Sequence, residues 1–512
     1  MVGWGMINSG VHFLRNYYWM VLLLVFTCIN VAEARNNRPK NIVFILVDDL
    51  RYDIFGFMGH PFIETPNIDA LASEGVQFQN AFVTTSLCSP SRASFLTGQY
   101  MHHHKVVDNS TPIRHGTKTF PMYLQEAGYE TAFIGKWHMG GSSDAVRPGF
   151  DHWVSFPGQG TYAPEKQMIN VNGTRVPRTK YMTDELTDYA EDWLESRQGD
   201  QPFMLYLSHK GVHGLYDPAE RHRDRYLDSS FQVPDDVATP PRANEQKPMW
   251  VQNQRNSWHG VDFPYYGRSG QSLEEMYRHY CEMILSIDDS VERVRATLRA
   301  GGHMHDTMII FTSDGGHLWG EHGLIDKRCA YEPSMRIPLL VHAPGIIKSG
   351  IIVDALVANI DVAPTLLDLA GVDIPHTMDG QSFLPMLQID HGVPADWRES
   401  LLYEYYWEPS FPMTPTTFAL RGDRYKFIQY HGIWDFDELY DLETDPGEKN
   451  NLILNLSHRE RVQQFRRQLY QTLKTTYGLN IPLGFKRNHG SHLRHPDGAP
   501  GAGFPSSMFR KE

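Results

Sequence analysis

The stretch Asn41-Ile42-Val43-Phe44-Ile45-Leu46-Val47 runs without a polar break after its first residue and stops at Asp48-Asp49. A strand with one wet face alternates apolar and polar residues. A strand buried on both faces does not, and such strands belong to parallel sheets covered by helices. The pattern recurs. Thr131-Ala132-Phe133-Ile134 ends at Gly135-Lys136-Trp137-His138, and Phe203-Met204-Leu205-Tyr206-Leu207 ends at Ser208-His209-Lys210-Gly211-Val212-His213. Thr307-Met308-Ile309-Ile310-Phe311-Thr312 ends at Ser313-Asp314. Parallel strands need long crossovers, usually helical. Helical patterns fill residues 67–74, 119–127, 184–197, 273–300 and 361–370, with Gly75, Gly128 and Gly371 as stops. The expected fold class is α/β, a large mixed, mostly parallel sheet flanked by helices. Open sheets of this kind bind ligands beyond the carboxyl ends of their strands. Apolar runs that each close on acids or bases therefore predict one site along that edge.

Residues 226–271 interrupt this order. They are rich in Pro, Asn, Gln and aromatic residues, show no clean period, and read as a long ordered loop or lid. The pattern shifts again near Asp396. Short alternating segments between Leu401 and Leu452 predict a smaller C-terminal antiparallel sheet, and residues 459–477 a closing helix. The chain divides into a leader (1–34), a catalytic domain (35–395), an α+β subdomain (396–480) and an irregular tail (481–512). The leader has Arg15 as its basic region, an apolar run over residues 18–29, and Ala32-Glu33-Ala34 as a cleavage site. A spanning helix needs ~20 apolar residues, so no stable membrane anchor is expected and the mature chain is secreted or periplasmic. A net charge of -13 argues against a nucleic-acid partner. Of four cysteines Cys28 leaves with the leader, so Cys88, Cys281 and Cys329 allow at most one disulfide. Sequons at Asn109, Asn172 and Asn455 read as surface positions.

One cysteine stands out. In Leu87-Cys88-Ser89-Pro90-Ser91-Arg92 the thiol falls at a helix start, where Pro90 suits the first turn and Ser89 the cap. A group there faces free N–H groups and the positive dipole end, so a thiolate or a substrate oxyanion would be stabilised. Arg92 adds a fork that matches tetrahedral oxyanions.

The run Cys88-Ser89-Pro90-Ser91-Arg92-Ala93-Ser94-Phe95-Leu96-Thr97-Gly98 matches C-x-P-S-R-x-x-x-L-T-G at every specified position. It resembles the signature of the type I sulfatases of the alkaline phosphatase superfamily. The resemblance covers Asn41 to about Leu452 and implies an alkaline phosphatase-like catalytic domain. It implies that a formylglycine-generating or sulfatase-maturating enzyme oxidises Cys88 to formylglycine, whose hydrate attacks sulfur. It implies one calcium ion held by Asp48, Asp49, Asp314 and residue 88. Gly135-Lys136-Trp137-His138 resembles the family's G-K-W-H, which assigns sulfate binding to Lys136 and proton removal to His138. His213 resembles the histidine on the leaving-group side, and Lys327 the second sulfate-binding lysine. The alcohol then leaves with a proton from His213 or Lys327.

One position departs from that pattern. Gly315 stands where the family usually carries an amide or imidazole ligand after the third aspartate. His317 is a possible substitute, although imidazole suits calcium poorly. His209 and Lys210 are either site residues or loop residues beside His213. His102-His103-His104 reads as a solvated or substrate-facing loop, since three adjacent side chains cannot converge on one tetrahedral ion. Residues 147–162, together with Asn170-Val171-Asn172-Gly173, resemble the corresponding segment of N-acetylglucosamine-6-sulfatases and mucin-desulfating sulfatases. Trp407 and Trp434 either stack on sugar faces or lie within the meander. The expected activity is removal of sulfate from a sulfated glycan, with 6-O-sulfated N-acetylglucosamine as substrate. The alternatives are a phosphonate or phosphate diester hydrolase of the same superfamily and a catalytically weak glycan-binding relative.

Overall fold

The computed structural model describes residues 40–482 except 198, 232–233, 235–245, 255–256, 258, 262–269, 345–346, 348, 388–391 and 434. The leader and nearly all of the tail lie outside the described residues, as does Trp434.

A ten-stranded sheet forms the centre, in the order Ile351–Val353, Val76–Phe78, Leu339–His342, Thr307–Ser313, Asn41–Val47, Phe203–Ser208, Glu130–Gly135, His152–Ser155, Met168–Val171 and Thr174–Pro177. From Thr307–Ser313 to His152–Ser155 neighbouring strands are parallel. Leu339–His342 and the hairpin at the far edge are antiparallel. The sheet is thus mixed with a parallel centre. Asn41–Val47 explains its own sequence: Ile42, Phe44 and Leu46 enter one apolar core, Val43, Ile45 and Val47 the other. Both faces are dry, so no polar residue is tolerated within the run.

Register matters for function. Val47 lies opposite Ser313, Leu46 opposite Ser208, and Ser208 opposite Gly135. The residues that follow each strand therefore emerge from one edge, as predicted. The helices lie close to their expected places, at Pro66–Glu74, Phe120–Glu126, Met182–Glu195, Leu273–Ala300 and Val362–Leu369. A second sheet, Ser400–Tyr405, Thr416–Gly422, Tyr425–His431 and Glu438–Asp441, is an antiparallel meander closed by the helix Arg459–Thr475. Among the described residues no helix is long and apolar enough to cross a membrane.

Two expectations change, on the segment 226–271 and on the histidine run, while the cysteines stay within the limit of one disulfide. The segment 226–271 is not loop throughout, because Met249–Gln254 is helical. Its hold is tertiary rather than periodic: Gln254 donates to Thr414 Oγ1 (2.9 Å), the Trp250 ring meets Tyr430, and Lys247 donates to Tyr440 Oη (2.6 Å). Cys88, Cys281 and Cys329 are all unpaired, buried thiols. His102 and His104 are buried and His103 is half-buried, and all three are tied down by hydrogen bonds rather than forming a solvated loop. His104 Nε2 pairs with Ser94 Oγ (3.0 Å), and His103 Nδ1 with Asp379 Oδ2 (2.7 Å). Buried His102 bridges the Glu404 carboxylate and the Thr476 carbonyl, each at 2.7 Å.

That bridge predicts a pH dependence. Burial alone disfavours a charged His102, but Glu404 and the Thr476 carbonyl outweigh it and raise the pKa. A raised value means that the folded state holds the proton more tightly. The stabilisation is complete below about pH 6.5, the ordinary histidine value, and fades as pH climbs through the raised one. Urea unfolding on either side of that range should show wild type losing more stability at the higher pH than Glu404→Gln does. Parallel losses would remove the pair from the account.

Candidate active site

The edge is built from strand ends. After Val47 the chain turns sharply, with Asp49 at φ 58°, and the Asp49 carbonyl accepts from Tyr280 Oη at 2.9 Å. Asp314 follows the neighbouring strand: its N–H donates to the Val47 carbonyl (3.0 Å), and its Oδ1 accepts from the Asp49 N–H (3.1 Å). Asp48, Asp49 and Asp314 thereby bring one carboxylate oxygen each within 4.8 Å of the others, all buried. Asp48 Oδ1 and Asp49 Oδ2 have no hydrogen-bond partner among the described residues. Orphaned, buried, hard oxygen atoms at this spacing fit a calcium ion.

Cys88 opens the helix Cys88–Thr97, every residue of which is buried. Leu87 occupies the cap position without a side-chain hydrogen bond, so Ser89 is not the cap expected from sequence. The Ser89 hydroxyl instead donates to the His138 carbonyl, and the Ser89 N–H donates to Asn109 Oδ1 at 3.0 Å. Asn109 is therefore tied to the site, while Asn172 and Asn455 are exposed. The expected thiolate is also corrected. Burial raises the thiol pKa far above its ordinary value; Lys136 opposes this, but Asp48 and Asp314 reinforce it. Burial and two carboxylates outweigh the helix end and favour the protonated thiol at Cys88.

Three cations match the three acids. Arg92 Nε donates to Asp314 Oδ2 (2.7 Å), and its Nη1 donates to the Lys136 carbonyl (2.7 Å) and Ser208 Oγ (2.6 Å). Its Nη2 lies 3.7 Å from Asp48 Oδ1. The guanidinium thus braces the acidic cluster rather than presenting an open fork. Lys136 pairs with Asp48 and donates to Gln159 Oε1 (2.6 Å). Lys327 pairs with Asp49 and lies 3.1 Å from Cys88 Sγ. Burial pushes Lys327 down to about 7, although Asp48 opposes the shift. Burial, reinforced by Lys136, pushes His138 and His213 well below the ordinary histidine value, so both rings are neutral.

All nine residues picked from sequence thus meet at one edge. His317 does not join them, because its Nε2 bonds to Tyr216 Oη (2.9 Å) and its ring packs on Trp319. Gly315 leaves space: a Cβ there would meet only Lys327 Cδ, at 3.9 Å. His209 is a core residue bonded to Ser290 Oγ (3.0 Å). Lys210 belongs with the site; it sits 4.0 Å over the Tyr162 ring and feels the charges of Lys136 and Asp48. Gln159, Ser208 and Asn109 were not singled out as site residues. For Gln159 the one signal was its place in the pocket-shaping segment 147–162. Trp407 is half-buried, with its indole N–H on the Pro412 carbonyl (3.1 Å).

A family model described as Sulfatase matches residues 40–372. The chain belongs to the sulfatase family. A second model, N-sulphoglucosamine sulphohydrolase, C-terminal, matches residues 320–475. An N-acetylglucosamine-6-O-sulfatase of Bacteroides thetaiotaomicron is 31% identical over 89% of this chain and 90% of its own length. The human N-acetylglucosamine-6-sulfatase is 32% identical over 78% and 73%. The solved structure of BT4656 with its substrate D-glucosamine-2-N,6-O-disulfate superposes with TM-score 0.79 and 29% identity, covering 87% of this chain and 99% of the other. The protein is a sulfuric ester hydrolase.

Arg92 tests the electrostatic frame of this sulfatase. It is fully buried among two carboxylates, and losing one partner of such a set costs about 3–5 kcal/mol. Arg92→Met should lower unfolding stability by that amount in urea titration; a change under about 1 kcal/mol would mean that the acids do not need it.

Proposed function

We propose that this sulfatase removes the 6-O-sulfate from N-acetylglucosamine residues of a sulfated glycan. The observation that carries the reading is the ring of cations and neutral imidazoles around a thiol that is itself protonated. Burial and two carboxylates hold the Cys88 thiol in its protonated form, yet Lys327 lies 3.1 Å from its sulfur, His213 offers a ring nitrogen within 4.8 Å, and Lys136 and His138 lie at the same edge. That arrangement suits a side chain made reactive by oxidation, and the named relatives supply the sugar.

The formylglycine formed from Cys88 by a maturation enzyme supplies, when present, the oxygen nucleophile. Calcium, when bound by Asp48, Asp49, Asp314 and residue 88, supplies fixed divalent charge facing the sulfate. The chain's own residues do the rest. Lys136 and Lys327 stabilise negative charge on the sulfate oxygens as the ester breaks, worth most in a dry site. Lys327 gives a proton to the departing alcohol oxygen, since a lysine held near neutrality by burial is suited to that transfer, whereas neutral His213 keeps its one ring proton on the Gly214 carbonyl. His138, kept neutral, is able to take the proton of the hydrated residue 88. Arg92 keeps the acids paired throughout.

Sulfate release from 6-, 4-, 3- and 2-sulfated monosaccharides by converted enzyme tests the substrate. 6-Sulfated N-acetylglucosamine should be turned over fastest; preference for another position overturns the sugar, and faster cleavage of an aryl phosphonate than of an aryl sulfate overturns the ester class. Lys136→Ala should lower kcat by about 10²–10³. Chelation should abolish turnover and lower the unfolding temperature, with calcium restoring both. Unchanged melting after chelation would remove the metal from the reading.

A further inference from the structure

The same pocket holds a second set of metal-ligating atoms. Asp48, Cys88 and His213 are all buried, and one ligand atom from each lies within 4.8 Å of the other two. This set differs chemically from the three-carboxylate cluster. One sulfur, one imidazole nitrogen and one carboxylate oxygen suit a borderline ion such as zinc, whereas calcium takes oxygen alone.

The surroundings support coordination. His213 Nδ1 donates to the Gly214 carbonyl at 2.5 Å, which fixes the tautomer and leaves Nε2 as the ligand atom, on the side of the acids, 3.9 Å from Asp49 Oδ2. A carbonyl behind an imidazole is the usual outer support of a metal ligand. Asp48 Oδ1 is fully buried and has no hydrogen-bond partner among the described residues.

We propose that the unconverted chain, with Cys88 still a thiol, binds one zinc ion through Cys88 Sγ, His213 Nε2 and Asp48 Oδ1, and that conversion of Cys88 abolishes this site. The inference rests on reading Cys88 as a precursor. On binding, an S–Zn bond forms, the S–H bond breaks, and the proton passes to solvent. A reluctant thiol is no obstacle, since a bound cation deprotonates it outright. A water completes the tetrahedral shell. Lys327 lies 3.1 Å from the sulfur and must turn away or lose its proton. Conversion exchanges the sulfur for oxygen donors, so the pocket passes from a zinc-preferring to a calcium-preferring set.

The test loads four full-length proteins with zinc, or with cobalt(II) as an optical reporter: the unconverted chain, the converted chain, Cys88→Ser and His213→Ala. After desalting, the unconverted chain should retain one more zinc than the other three and bind it about tenfold tighter or more by calorimetry. Its cobalt form should show a sulfur-to-cobalt charge-transfer band that Cys88→Ser lacks. Cys88→Ser is nearly isosteric, so misfolding does not explain a lost band. Equal zinc binding by unconverted chain and Cys88→Ser, or a cobalt form without the band, overturns the proposal. Zinc bound in this way by a chain that never desulfates after conversion would sink the substrate reading and leave this one standing.

Discussion

Three carboxylates buried at one point are the constraint that the rest of the site answers. Asp48, Asp49 and Asp314 sit side by side and fully buried, and like charges so placed push each other toward protonation. Arg92, Lys136 and Lys327 each meet one of them. Burial opposes the charge on Asp48, yet Lys136 foremost holds its pKa well below the usual carboxylate range. Asp314 is pushed upward by burial and by Asp48, and the Arg92 guanidinium holds it from the other side. The cluster is therefore near neutral as it stands and short of coordination at two oxygens. Both features favour a divalent cation on the acids and an anion on the freed lysines.

The second sheet serves this balance. Lys327 lies between Asp326 (φ 87°) and Arg328 (φ 75°), two residues in a conformation that L-residues avoid. Arg328 pairs with Asp326 and with Glu408, 2.8 Å away, just beyond the strand Ser400–Tyr405, and stacks on Phe411 at 3.7 Å. Lys426, on the meander, meets Glu332 (3.0 Å) and Glu448 beneath the same loop. The meander thus anchors the backbone that presents Lys327, which is why this lysine, far along the chain from Cys88, reaches its sulfur.

The strands were legible because a run dry on both faces admits few alternatives, and their register follows from where each run ends. Cys88 and Arg92 were legible because the Cys88–Gly98 run is long and specific, and the other seven through the family resemblance that this run carries. Partners were not. Ser89 looked like a helix cap because cap preference is local, whereas the His138 carbonyl that accepts its hydroxyl arrives from another strand. The thiol of Cys88 looked activated because a helix end is visible in sequence and burial between two acids is not. His102, His103 and His104 looked like a polar loop, since nothing near them in sequence announces Glu404 or Asp379. Gln159 carried no signal beyond its place in the segment 147–162; its bond to Lys136 exists because two strand ends share an edge.

The central claim is that residue 88 works only after oxidation, within a frame of charges that is already in place. The most direct measurement makes the chain with and without a maturation enzyme, quantifies the aldehyde at position 88 by mass spectrometry, and plots sulfate-ester turnover against that fraction. Turnover should rise in proportion to conversion and extrapolate to background at zero. Full turnover by protein whose Cys88 is entirely thiol would contradict the account.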